Sequence, residues 1–131
     1  MTTLKVGIAS HEEVRARTVA IARGKHRVVA GEPKVWFRST ESFAKVLSAG
    51  NRHLLRVIAE RAPGSLDELA QFTGRKKSNL SRTLKTMAGY GLIRLERGER
   101  GRIGPKLTHD QIALDLPLID DGVAAREREP V

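Results

Sequence analysis

An α+β fold is predicted by three features of this sequence. An apolar alternation of period two opens the chain, capped segments of helical periodicity fill its middle, and a pair of short glycine-punctuated strands follows the last helix. The 131 residues suffice for about one ordinary domain with its own core. Apolar residues make up 40% and charged residues 30%, which suits a globular protein, and with only 4% aromatics the core should be built from Leu, Val, Ile and Ala.

Leu4, Val6 and Ile8 alternate with Lys5 and Gly7, as a half-buried strand does. Ser10 followed by Glu13 is a capping-box pattern. It opens a helix from about His11 to Arg23 that should bury Val14, Thr18, Ile21 and Ala22, leave Arg15, Arg17 and Arg23 outside, and end at Gly24. Short strands are expected at Val28–Val29 and at Lys34–Arg38. Ser39 begins a short helix through Phe43, Val46 and Leu47 that stops at Gly50, and Asn51 should cap a stronger one carrying Leu54, Leu55, Ile58 and Ala59 before Pro63-Gly64 breaks it.

Ser65 and Glu68 form a second capping box for a helix through Leu66, Leu69, Ala70 and Phe72, with Gly74 supplying a tight turn. The next helix, 76–90, directs Leu80, Leu84, Met87 and Ala88 inward and Lys77, Ser78, Ser81, Arg82 and Lys85 outward, and Gly91 closes it. Leu92–Arg97 and Arg102–Leu107 then read as an antiparallel hairpin, its turn Gly98-Glu99-Arg100-Gly101 using positive φ at the two glycines. Ile112, Leu114, Leu116 and Leu118 alternate as in a strand with one buried face, which Pro117 assigns to a sheet edge. The tail after Leu118 lacks a core-forming pattern. The expected organisation is a small β-α-β element at 1–38, a winged helix-turn-helix domain at 39–118 with its wing at 93–107, and a disordered acidic tail at 119–131; the helix at 11–23 in the first element and the strand at 112–118 are both candidate dimerisation surfaces.

Charge is unevenly placed along this plan. Arg75 to Lys106 holds ten basic residues and two acidic ones, and so carries +8 of the chain's net +9; residues 1–38 add +5, and 107–131 carry −4. Such clustering favours a polyanionic partner, either a nucleic-acid backbone or an anionic membrane surface. Two helices joined by a glycine-containing turn place the second across the major groove, where its first residues meet base edges. Asn79 can pair bidentately with adenine and Arg82 with guanine, while Ser78 and Ser81 reach bases or phosphates. Lys76, Lys77 and Lys85 suit phosphates, and Arg97, Arg100 and Arg102 suit the flanking backbone or minor groove. Ser78 and Asn79 equally suit a capping role at the helix start.

Other chemistries are poorly provided for. The chain has no cysteine, which excludes disulfides, thiolate metal sites and cysteine nucleophiles. His11, His26, His53 and His109 lack metal-ligand spacing, so neither metal nor cofactor is expected. Ser10, Ser39 and Ser65 have capping explanations, Glu12-Glu13 and Asp120-Asp121 offer no fixed acid–base geometry, and Gly98, Gly101 and Gly104 do not match a nucleotide loop. No enzyme is therefore expected. Apolar runs are too short to span a bilayer and the first residues turn polar at once, so the expected location is the cytoplasm, away from the membrane.

The order Leu69-Ala70, Gly74-Arg75, Ser78-Asn79-Leu80-Ser81-Arg82, Leu84 and Gly91-Leu92-Ile93 before a basic hairpin resembles the winged helix-turn-helix domains of prokaryotic MarR- and ArsR-like regulators. Trp36-Phe37 and Ser39 ahead of Asn51-Arg52, with Gly104-Pro105 behind the wing, resemble a family of short bacterial and archaeal winged-helix regulators, some antitoxin-like. By this resemblance 76–90 is the recognition helix and Lys77, Ser78, Asn79, Ser81 and Arg82 read bases. The chain lacks the cysteine or histidine cluster of ArsR-type metal sensors and the long terminal dimerisation helices of MarR-type proteins. The expected function is a sequence-specific repressor that binds double-stranded DNA as a homodimer. The alternatives are an antitoxin that neutralises a cognate toxin by protein contact and regulates its own operon, and a winged helix used only for protein or RNA contact.

Overall fold

The computed structural model describes residues 2–27 and 31–119. In chain order these form β1 (Thr3–Ile8), α1 (His11–Ala22), β2 (Val35–Phe37), α2 (Thr40–Val46), α3 (Ala49–Arg61), α4 (Leu66–Thr73), α5 (Lys77–Gly89), β3 (Ile93–Arg97), a 3-10 turn (Glu99–Gly101), β4 (Ile103–Leu107) and β5 (Gln111–Asp115). The fold is α+β. The strand expected at Val28–Val29 and the tail from residue 120 lie outside the described residues.

β1 is the middle strand of a parallel sheet of order β2-β1-β5, with Val6 opposite Val35 on one side and Leu114 on the other. The expected edge strand near Ile112 exists as β5 and joins the last described element to the first, but it ends at Asp115, so Leu116 and Leu118, expected on its buried face, lie beyond it and are 42% and 98% exposed, because Pro117 cannot donate to a strand ladder. Strand alternation sends Leu4, Val6, Val35, Phe37 and Ile112 to the face that meets the helices. On the opposite face, Gly7 lies beside Trp36, whose ring leaves no room for a Cβ at residue 7: one would sit 2.5 Å from it.

α1 departs from expectation. None of its residues is buried; Val14 and Ile21 are half-covered, while Thr18 and Ala22 are exposed. Arg17, expected outside, is instead half-buried, with its guanidinium 5.5 Å from the Trp36 ring centroid and bonded to Glu32. The reason lies in the neighbouring side chains, since an indole ring and a carboxylate suit a long cationic side chain better than an aliphatic one.

Local capping signals translate directly into helix starts. The Ser10, Ser39 and Ser65 hydroxyls accept from the backbone N–H of Glu13, Ser42 and Glu68, opening α1, α2 and α4. The Ser10 box is complete; in the second, Glu68 reaches the N–H of Gly64 rather than that of Ser65. α3 starts earlier than expected. Ser48 caps it, Gly50 lies in its first turn, and Asn51 turns its amide back to the Val46 carbonyl at the end of α2. The last carbonyls of a helix need such donors, and Asn51 serves there instead of as an N-cap.

One core joins the sheet to the helices, with Leu4, Val6 and Phe37 meeting Leu54, Ile58, Leu69, Leu80, Leu84, Met87, Leu92 and Ile93. It is mainly aliphatic, yet an aromatic group sits within it: Phe37 is edge-on to Phe43 (centroids 5.1 Å) and stacked on Tyr90 (4.1 Å).

The β3–β4 hairpin pairs Ile93 with Leu107 and Arg97 with Ile103. Its turn takes positive φ at Arg100 (58°) and Gly101 (72°), whereas Gly98 is extended (φ −107°), a correction to the two-glycine expectation. Gly104 is buried against the α3–α4 loop so closely that a Cβ would lie 2.8 Å from the Pro63 oxygen and the Gly64 carbonyl carbon. The same loop begins at Ala62, a non-glycine residue in the left-handed region (φ 44°) that closes α3. Opposite substitutions should therefore have opposite signs in chemical denaturation. Gly104→Ala should lose roughly 1–3 kcal/mol by forcing apart two backbones, and Ala62→Gly should gain roughly 0.5–1 kcal/mol by relieving the left-handed penalty.

Candidate nucleic-acid interface

α5 carries its buried residues Leu80, Leu84 and Met87 on one side, leaving Ser78, Arg82 and Lys85 on the other at i, i+4 and i+7. Lys76, Lys77 and Asn79 are exposed at its start, and Ser81 is half-buried on its flank. The N-cap is Lys76, and no side chain caps the helix. Ser78 and Asn79 are accordingly not capping residues, and Ser78 and Lys76 have no polar partner among the described residues. Three N–H groups at the start of a helix without a side-chain cap favour an anion there. Arg82 lines a groove of about 600 Å³ between α2 and α5, together with Ser42, Lys45 and Asn51.

The hairpin places Arg97, Arg100 and Arg102 at its far end, all exposed and without an ion-pair partner among the described residues, while Arg94 is bonded to Glu96 on β3. Asp67, in the first turn of α4, pairs with α5. Its carboxylate lies 2.8 Å from the Lys77 ammonium, and Arg102 is near enough to act on it as well. The hydrogen bond and charge of Lys77, assisted by Arg102, hold the Asp67 carboxyl below the ordinary carboxylate range.

Two contributors escaped sequence reasoning. Arg75, in the turn between α4 and α5, donates to the Asn51 side-chain oxygen at 3.2 Å and approaches that of Asn79 at 3.5 Å. It thereby ties the first turn of α5 to α3 and occupies one of the two lone-pair positions on the Asn79 oxygen, leaving that residue's amide N–H groups available. The only sequence trace of this arrangement is the i, i+4 spacing of Arg75 and Asn79. Asp67 had no trace at all, because a first-turn acid is explained equally well by the helix dipole.

Among the described residues, no three His, Cys, Asp or Glu side chains converge as a metal site would require, and no helix is long and apolar enough to cross a membrane. What the fold and site define is an α+β protein with a basic helix, turn and hairpin on one side of a shared core. The chain belongs to the HVO_A0114 family, which matches residues 46–114, more than half its length, from the end of α2 into β5. No curated protein and no solved structure matches the chain.

The Asp67 shift has a direct check. A carboxyl whose folded pKa is depressed adds stability above its unfolded pKa, and that stability is lost as pH falls through the folded value. NMR titration of the Asp67 side chain should show its midpoint moving upward in Lys77→Ala, and by less in Arg102→Ala.

Proposed function

We propose that α3, α4, α5 and the β3–β4 hairpin form a winged helix-turn-helix, and that the protein is a sequence-specific transcriptional regulator binding double-stranded DNA as a homodimer. The observation that carries this reading is the shared core, in which Leu80, Leu84 and Met87 of α5 pack with Leu92 and Ile93 at the base of the hairpin, so that the exposed cations of both elements extend from one framework. α5 then lies in the major groove with Asn79 and Arg82 on base edges, Ser78 and Ser81 on bases or phosphates, and Lys76 and Lys85 on phosphates. Arg97, Arg100 and Arg102 follow the flanking backbone or minor groove. Binding at a promoter is enough to exclude polymerase, so repression is the simplest outcome of such a site.

Gel shifts against a selected operator test the assignment. Arg82→Ala should cost about 1–3 kcal/mol of specific affinity while leaving non-specific binding nearly unchanged. Equal loss on every DNA, or tighter binding to structured RNA than to any duplex, would overturn base reading by α5.

Asp67 supplies a test in the opposite direction. While it is ionised, it neutralises part of the Lys77 charge that a phosphate would otherwise meet. Asp67→Asn should therefore tighten DNA binding and steepen the dependence of log K on log salt by about 0.9, the increment expected for one more phosphate contact. Weakened binding in this variant would place Lys77 away from the backbone.

A further inference from the structure

The outer edge of β5 has no pairing partner among the described residues, since β5 ends the sheet order β2-β1-β5. Leu114 and Leu116 are partly exposed, and Leu118 and Ile119 are 98% and 80% exposed. Parallel sheets are ordinarily covered, and proteins seldom leave an apolar strand edge open. Nearby, a largely apolar cleft of about 450 Å³ opens between α3 and the β4–β5 connection, lined by Leu55, Leu92, Leu107 and Ile112 and also by the charged side chains of Arg52, Arg56 and Asp110.

We propose that two copies of the chain dimerise by antiparallel pairing of β5 with β5, each laying its Leu116–Ile119 segment across the other's cleft. A two-fold axis makes identical edges run antiparallel. Centring it on Ala113, the middle of Gln111–Asp115, overlaps all five strand residues. Ile112 then faces Leu114 of the second copy, and Gln111 faces Asp115, an amide donor against a carboxylate, with no like charges opposed.

The same register carries the segment beyond the strand to its place. Pairing stops where the chain bends at residues 108 and 110, so Leu116–Ile119 runs past the end of the second copy's strand toward its 107–110 connection, and residues 107 and 109–112 border the cleft. One strand register thus brings the most exposed apolar residues of each chain to the largely apolar cleft of the other. Self-complementarity of this kind selects a second copy as the occupant, and the two sheets merge into one of six strands.

This surface deepens the homodimer of the proposed regulator, and its test needs no DNA. Sedimentation of the full chain at micromolar concentration should give twice the chain mass, and Leu116→Asp with Leu118→Asp should halve it while the thermal melt remains cooperative. Because the chain lacks cysteine, Ala113→Cys should form a disulfide-linked dimer on mild oxidation, since directly opposed residues lie about 4.5–5.5 Å apart between Cα atoms. Gln111→Cys should not, because its two copies would stand about 13 Å apart along the strands. A monomeric wild-type protein, crosslinking at Gln111→Cys as fast as at Ala113→Cys, or crosslinking through Val19→Cys on the exposed side of α1 instead, would overturn the proposal. A monomer that still binds its operator would overturn this surface alone and leave the DNA-binding reading standing.

Discussion

Phe37 is the constraint through which the sheet and the helices hold one another. It sits on β2, fully buried, edge-on to Phe43 in α2 and stacked on Tyr90 at the end of α5. Each such aromatic pair adds roughly 0.5–1.5 kcal/mol beyond the area it buries, but the geometric effect is larger than the energetic one. With Tyr90 held against the sheet, the end of α5 cannot swing, and the chain leaves through Gly91 (φ 79°) directly into buried Leu92 and Ile93. The base of the hairpin is thereby fixed to the same core as α5. Gly104, pressed on the α3–α4 loop, provides the second attachment. The exposed face of α5 and the arginines of the hairpin therefore face solvent from one framework.

The charge on this face is less uniform than its composition. Lys77 is held by Asp67, Arg94 by Glu96, and Arg75 is turned inward to Asn51, whereas Arg82, Lys85, Arg97 and Arg100 have no ion-pair partner among the described residues. Exposed ion pairs of this kind add little stability. On the proposed DNA-binding reading, their larger effect is to divide cations that need only shed counterions on meeting a phosphate from one that must first leave a carboxylate.

What the sequence revealed and what it concealed divide along the distance between partners. Ser10, Ser39 and Ser65 were legible as caps because the groups they satisfy lie three residues away, and the inward stripe Leu80, Leu84 and Met87 was legible because helical periodicity is local. Arg17 was misplaced because Trp36 and Glu32, which cover it, arrive 19 and 15 residues later. Asn51 was misread because an amide suits either end of a helix, and Arg75, 24 residues on, engages its other atom. The closeness of Gly104 to Pro63 and Gly64 is a backbone contact that leaves no pattern of side chains to read. For the candidate site, the residues on α5 followed from periodicity, while the pairing of Lys77 with Asp67 on α4 depended on tertiary geometry.

Pairing of β1 with β5 sets the order in which the chain can be completed during synthesis. β1 is made first and must form the centre of the sheet, but Leu4 and Val6 find Ile112 and Leu114 only when more than a hundred further residues have been added. Contacts so distant in sequence close slowly because the loop entropy must be spent before they return anything. Domains emerge from the ribosome at about 5–20 residues per second, so α3, α4, α5 and the hairpin can fold while one side of β1 is still waiting. The open flank of β1 is thus exposed for longest in the nascent chain, and Lys5, between Leu4 and Val6, places there the kind of charge that disfavours pairing of one strand edge with another.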